Sequence, residues 1–280
     1  MEVRNKTGPY VYNLFMKALF ATSILALSIG CAAQALDHSG PKSSNDDEPA
    51  VFRTQVLVEL FTSEGCSSCP PAEELLAKFD REQPVENVEL ITLAFHVDYW
   101  DELGWKDKYA SPLFTQRQRI YDRKFRTGQI YTPQMVVDGE IGFVGSREKD
   151  AKKAIEKSVK APKAAFDLSI DGNQLRISIS EIPNTEQSTV FVAFAEDGLG
   201  SDVKSGENAG KMLKHVSVVR ELRAIGRLSG TDQDFKAVVP LLTDQSWQID
   251  NMRIIIFIQE NASRRIHGVS RISLSNWANN

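Results

Sequence analysis

Cysteine and histidine are scarce: the 280 residues include 3 cysteines and 4 histidines. A cysteine-rich zinc site needs a second set of ligands beyond one cysteine pair. The chain carries a single Cys-x-x-Cys, Cys66 to Cys69, and its histidines (His38, His96, His215, His267) are scattered. Covalent haem attachment needs a histidine directly after the second cysteine, and Pro70 stands there. The sequence therefore gives no expectation of a metal or a cofactor. Basic charge is not in excess either. With 33 Lys and Arg against 37 Asp and Glu, the net charge of -4 provides no electrostatic case for nucleic acid. After Gly30, no run is long and apolar enough to span a bilayer.

What is present begins at the N-terminus. Arg4, Lys6 and Lys17 precede the apolar run ALFATSILALSIG, and CAAQAL follows. A basic start, a short apolar core and a small-x-small site describe a secretory signal. Cleavage after Ala35 makes residues 1–35 a signal peptide, and the polar, acidic residues 36–52 read as a disordered lead-in. The expected location is periplasmic or secreted. Gly30-Cys31 is an alternative lipoprotein junction, with Ser28 where such signals carry Leu or Val. Membrane attachment is expected only if Cys31 is lipidated. Once the signal is cut, Cys66 and Cys69 remain as the two cysteines, in a compartment where a disulfide persists.

From Thr54 to Thr62 the run TQVLVELFT reads as a strand buried on both faces. PPAEELLAKFDRE follows as a helix, its prolines placed where missing N–H groups do no harm. NVELITLAFHV is a second strand and Pro112 to Phe125 a helix. PQMVVD and EIGFVG pair about Asp138-Gly139, a hairpin signal. Ser146 to Ala161 forms a helix with Ser146 as its N-cap. Past Pro162 the pattern turns to alternating strands, with a hairpin at Asp171-Gly172-Asn173. The expectation is an α/β unit over 53–161, then an all-β unit, a β-sandwich, over 162–280.

The cysteines lie at a helix start. Unpaired N–H groups and partial positive charge there stabilise a thiolate, and a first cysteine in this motif commonly has a pKa of about 3.5–7.5. Cys66 would exchange with a substrate sulfur, and Cys69, one turn in, would resolve the mixed disulfide. The competing reading is a structural disulfide. Its loop is so short that little entropy is gained by closing it.

The element order, with Cys-x-x-Cys at the first helix, resembles the thioredoxin fold. That resemblance implies a cis-proline opening the third strand, which falls on Pro133, with the Thr132 backbone exposed to pair with a peptide. It also implies a buried acid on the first strand, Glu59, accepting the proton of Cys69. LFTSEGCSSCPPAEELLAKF, LAFHVDYWDELGWKDKYASPLFTQRQRIY, YTPQMVVDG and GENAGKMLKHVSVVREL resemble, more narrowly, a family of exported bacterial proteins described only as a domain of unknown function with a thioredoxin-like fold. The family implies fold and export, and no activity.

The loop after the second strand would leave the same sheet edge as the cysteine helix, where open α/β sheets bind ligands. Tyr99 and Trp100 would wall a substrate site, Trp105 would cap the core or dock the second unit, and His96 or Asp98 would tune Cys66. His215 and Arg220 would make polar contacts between the two units. The basic run from Arg117 to Arg126 reads as a solvated helix face. These residues describe an exported thiol–disulfide oxidoreductase acting on a protein or small thiol and turned over by an external redox partner. Cys66, Cys69, Pro133 and Glu59 would carry the chemistry, and Thr132, Tyr99, Trp100 and His96 would contact substrate. The alternative is a redox-inactive binding or scaffold protein whose disulfide is structural. A thiol peroxidase ranks last, for want of an arginine at a peroxide site.

Overall fold

The computed structural model describes residues 53–241 and 244–275. The expected signal, the lead-in and Cys31 lie outside them. The first half follows the order read from the sequence. It runs β1 (Thr54–Thr62), α1 (Pro70–Glu82), β2 (Val88–His96), α2 (Pro112–Phe125), β3 (Gln134–Val137), β4 (Ile141–Val144) and α3 (Glu148–Ser158). Nine strands follow: β5 (Ala165–Asp171), β6 (Gln174–Ser180), β7 (Ser188–Glu196), β8 (Leu199–Asp202), β9 (Met212–His215), β10 (Val218–Leu228), β11 (Phe235–Pro240), β12 (Met252–Glu260) and β13 (Ile266–Ser273).

Local chemistry sets the boundaries. Pro70 and Pro71 occupy the first turn of α1, and Gln83 ends it in the left-handed conformation. Ser111 caps α2 by accepting from Leu113 N–H at 3.3 Å. The expected cap of α3 is not observed: Arg147 holds the N-cap position without a side-chain bond, so Ser146 lies outside it. At the β3–β4 turn Asp138 and Gly139 both have positive φ, 47° and 69°, as the central pair of a type I′ turn requires, and Glu140 N–H donates to Val137 O at 3.0 Å. A Cβ on Gly139 would stand 1.8 Å from the Arg264 carbonyl oxygen, so no other residue fits.

One sheet joins both halves, in the order β13-β12-β7-β10-β2-β1-β3-β4. β2 pairs in parallel with β1 on one side and meets β10, through Ala94 and Val218, on the other. This corrects the expected thioredoxin-like domain followed by a separate all-β domain. The fold is mixed α/β, dominated by an eight-stranded sheet. The physical reason is that β7 and β12 are buried along most of their length, as interior strands covered on both faces. The sheet also curls. Ile266 N–H donates to the Asp138 carbonyl at 3.0 Å, which brings the start of β13 against the turn after β3.

Three apolar clusters follow. Val56, Val58 and Leu60 of β1 pack with Leu76 and Phe79 of α1 and Ile155 of α3. The alternate residues Leu57 and Phe61 join Tyr121 of α2 and, from the second half, Ala193, Ile255 and Phe257. A small sheet, β11-β6-β5, packs Leu175, Ile177 and Ile179 against Val192, Phe194 and Ile256.

Candidate functional site

β1 ends at Thr62, and a tight turn delivers Cys66 and Cys69 to the start of α1. Cys66 N–H donates to Ser63 O at 3.1 Å, and Cys69 N–H to Cys66 O at 3.1 Å. Cys69 is the N-cap of α1, and its carbonyl accepts from Ala72 and Glu73 N–H at 2.9 and 3.1 Å. The two sulfurs form a disulfide across 5.4 Å of Cα separation. Ser68 Oγ lies 3.3 Å from Cys66 Sγ. Ser67 and Ser68 are exposed, yet both cysteines are 0% exposed.

The β8–β9 connection is hydrogen-bonded to the cysteine turn. Asn208 Nδ2 donates to Glu64 O at 2.8 Å and to Cys66 O at 3.0 Å. Glu207 accepts from Ser67 N–H at 3.0 Å, and Ser205 donates to Gly104 O at 2.5 Å. The GENAGK stretch is thus a strap tied to the turn that carries Cys66.

Several residues expected at the site do gather there. Thr132-Pro133 is cis. Trp100 Nε1 donates to Thr132 Oγ1 at 2.8 Å, and a Cβ on Gly65, next to Cys66, would meet the Trp100 Cβ at 3.2 Å. A Cβ on Gly145 would meet Ala72 of α1 and Pro133 at 3.1 and 3.3 Å. Tyr99 lies 6.5 Å from Trp100, ring to ring, and burial pushes its phenol up to about 12. Trp100 therefore ties the turn before Cys66 to Thr132, and Gly145 lies between Pro133 and α1.

Glu59 and His96 sit elsewhere. Glu59 alternates with Val58 and Leu60, which face α1, so its carboxylate points to the α2 side of the sheet. There Arg117 Nε donates to it at 2.6 Å, and Tyr121 donates its hydroxyl proton. Glu59 is a partnered core acid, not the proton acceptor of Cys69. Arg117, read from sequence as solvated, is 8% exposed. Burial opposes its charge, but Glu59 holds its pKa above the usual value. His96 binds Asp107 through Nδ1 at 2.7 Å rather than turning to Cys66. Asp98 accepts from Thr115 Oγ1 at 2.5 Å.

The sequence reading missed an acid–histidine cluster under the strap. His215 Nε2 contacts Glu64 Oε1 at 3.1 Å, and its Nδ1 contacts Glu73 Oε2 at 2.5 Å. Thr62 Oγ1 donates to the other Glu73 oxygen at 2.5 Å. Trp105 Nε1 donates to Glu64 Oε2 at 2.7 Å. Burial alone would lower the His215 pKa, but the two glutamates push it up to about 10. Burial likewise works against ionised Asp107, yet His96 and the Glu64 and Tyr109 N–H groups hold it down at about 2. One signal was legible: Glu73 follows Cys69 by four residues, which places it on the buried face of α1 beside Ala72 and Leu76. Glu73, His96 and His215 each offer a ligand atom, all within 4.8 Å of one another.

No curated protein matches the chain. Among solved structures, a structural-genomics protein from Agrobacterium tumefaciens aligns at 27% identity with a TM-score of 0.63, over 79% of this chain and 95% of that one. A domain of the outer membrane lipoprotein Omp28 from Porphyromonas gingivalis aligns at 14% identity over 40% of this chain and 88% of that one. Its TM-score of 0.22 is too low to bear on fold or function. Residues 57–259 match the family model described as protein of unknown function (DUF1223), and the chain belongs to that family.

Proposed function

We propose that the protein is a thiol–disulfide oxidoreductase acting outside the cytoplasm on a protein or small-thiol substrate. The observation that carries this reading is the placement of the Cys66–Cys69 disulfide at the N-terminus of α1, next to the Gly65 turn that Trp100 packs on. In the oxidising direction a substrate thiolate attacks Cys66 Sγ. The Cys66–Cys69 bond breaks, and Cys69 leaves as a thiolate. A second substrate thiolate then attacks the substrate sulfur of the mixed disulfide and releases Cys66. The substrate gains a disulfide, the pair becomes a dithiol, and an external partner must reoxidise it. The reverse sequence reduces a substrate. The Ser68 hydroxyl and the N–H groups opening α1 favour a Cys66 thiolate. Access to Cys66 requires the Asn208 strap to lift.

The burial of both sulfurs favours a second reading, a sequestered structural disulfide on a binding scaffold. Cys69→Ser separates the two. As an exchange enzyme, the variant's Cys66 thiolate attacks a small disulfide such as glutathione disulfide, releases glutathione and accumulates as the mixed disulfide, and Cys66→Ser abolishes it. Failure of Cys66 to form any adduct in a folded Cys69→Ser protein selects the scaffold.

A further inference from the structure

We propose that Glu73, His96 and His215 form a binding site for a first-row divalent transition-metal ion, beneath the strap and distinct from the cysteine pair. Each histidine already has one nitrogen on a carboxylate: His96 Nδ1 on Asp107 at 2.7 Å and His215 Nε2 on Glu64 at 3.1 Å. The remaining nitrogen of His215 meets Glu73 at 2.5 Å, and the second Glu73 oxygen is fixed by Thr62 at 2.5 Å. The donors lie within 4.8 Å of one another, and the two imidazole rings stand edge to face with centroids 4.9 Å apart. Metal-binding histidines characteristically present one nitrogen to the ion and the other to an oxygen acceptor that orients the ring. Here two such carboxylate–histidine pairs meet one oriented glutamate.

A second observation is independent of the clustering. His96 is 0% exposed, and its Nε2 has no hydrogen-bond partner among the described residues. With Nδ1 held by the Asp107 carboxylate, Nε2 is left without a partner in a buried, acid-rich surrounding. An unpaired buried nitrogen is costly, and a cation is the partner it fits. Charge agrees. Three buried carboxylates, Glu64, Glu73 and Asp107, surround two imidazoles. A dication held by Glu73, His215 and His96 replaces the direct hydrogen bond between His215 and Glu73. Two nitrogens and one oxygen suit zinc and its first-row neighbours and not magnesium or calcium, which take oxygen shells. Three protein ligands leave a fourth position open.

Calorimetric titration of the metal-stripped protein, disulfide intact, tests this with zinc and, in parallel, magnesium. The expected result is one zinc per chain with sub-micromolar affinity, a thermal midpoint that rises with zinc as mass action requires, and no response to magnesium. His96→Ala, which leaves the Glu73–His215 contact in place, weakens zinc binding at least about a hundredfold, and Asp107→Asn weakens it about 10–100-fold. Should wild-type protein show neither zinc heat nor a thermal shift, the cluster is a proton-bridged acid–histidine array and the proposal fails. It fails equally if folded His96→Ala binds zinc as tightly as wild type. Neither result touches the redox reading, because Cys66 and Cys69 take no part in the site.

Discussion

Removing the Glu59 carboxylate leaves the Arg117 guanidinium buried among Phe95, Phe191 and Phe257 without its counter-charge. Breaking such a pair by deleting one partner costs about 3–5 kcal/mol. Glu59→Ala is therefore expected to lower denaturant stability by that amount while leaving the redox potential of the cysteine pair unchanged, because the carboxylate faces α2. A shifted potential at full stability would return Glu59 to the site. Asp138 makes a pH prediction. Burial, offset in part by Lys163 at 2.6 Å, pushes its carboxyl up to about 6, against about 3.9 in the unfolded chain. The native state thus holds the proton more tightly. This acid's contribution is fully present below about pH 4 and is lost as pH rises through about 6, an effect of about 3 kcal/mol. Denaturation across that window should show wild type losing stability relative to Asp138→Asn as pH rises. A constant difference would contradict it. The cysteine pair was legible from its own spacing, the positions of Thr132 and Pro133 through the resemblance, and that of Trp100 from its loop after the second strand. Glu59 was misassigned because β1 is buried on both faces, so its apolar run gives no clue to which helix each side chain faces.

At the scale of elements, the strap between β8 and β9 is tied to the turn that carries Cys66 and is expected to limit access to the disulfide. Asn208 makes two hydrogen bonds across it, and a net loss of about 1 kcal/mol raises the open population about fivefold. Asn208→Ala is expected to speed reduction of Cys66–Cys69 by a small phosphine several-fold, measured by thiol release under native conditions. An unchanged rate would mean the strap does not limit access. Helices α1 and α2 and the Asp138-Gly139 hairpin were readable from prolines, apolar spacing and turn residues. The strap was not, because its meaning depends on Glu207 and Asn208 meeting Ser67 and Cys66 about 140 positions away.

For the whole molecule, the Ala94–Val218 seam and the shared cluster of Leu57, Phe61, Ala193, Ile255 and Phe257 make the two halves mutually dependent. Unfolding should be a single transition, with tryptophan fluorescence and far-ultraviolet dichroism coincident. Two resolved transitions would restore the separate domains. The partition expected at residue 162 arose from a true change of pattern, helices before and strands after. Alternation identifies strands but does not name their partners, and a parallel pairing between β2 and β10 has no local signature. His215 was read as a polar contact between the halves, but its partners were hidden for the same reason. It lies on β9, and the glutamates that define it belong to the first half.

The most direct measurement is the redox potential of Cys66–Cys69 in the purified protein, equilibrated with glutathione buffers, with Cys66→Ser as control. A working exchange pair should titrate between about -270 and -120 mV and form a mixed disulfide on Cys66. A disulfide that stays oxidised below about -300 mV would contradict the oxidoreductase and identify the bond as part of the scaffold.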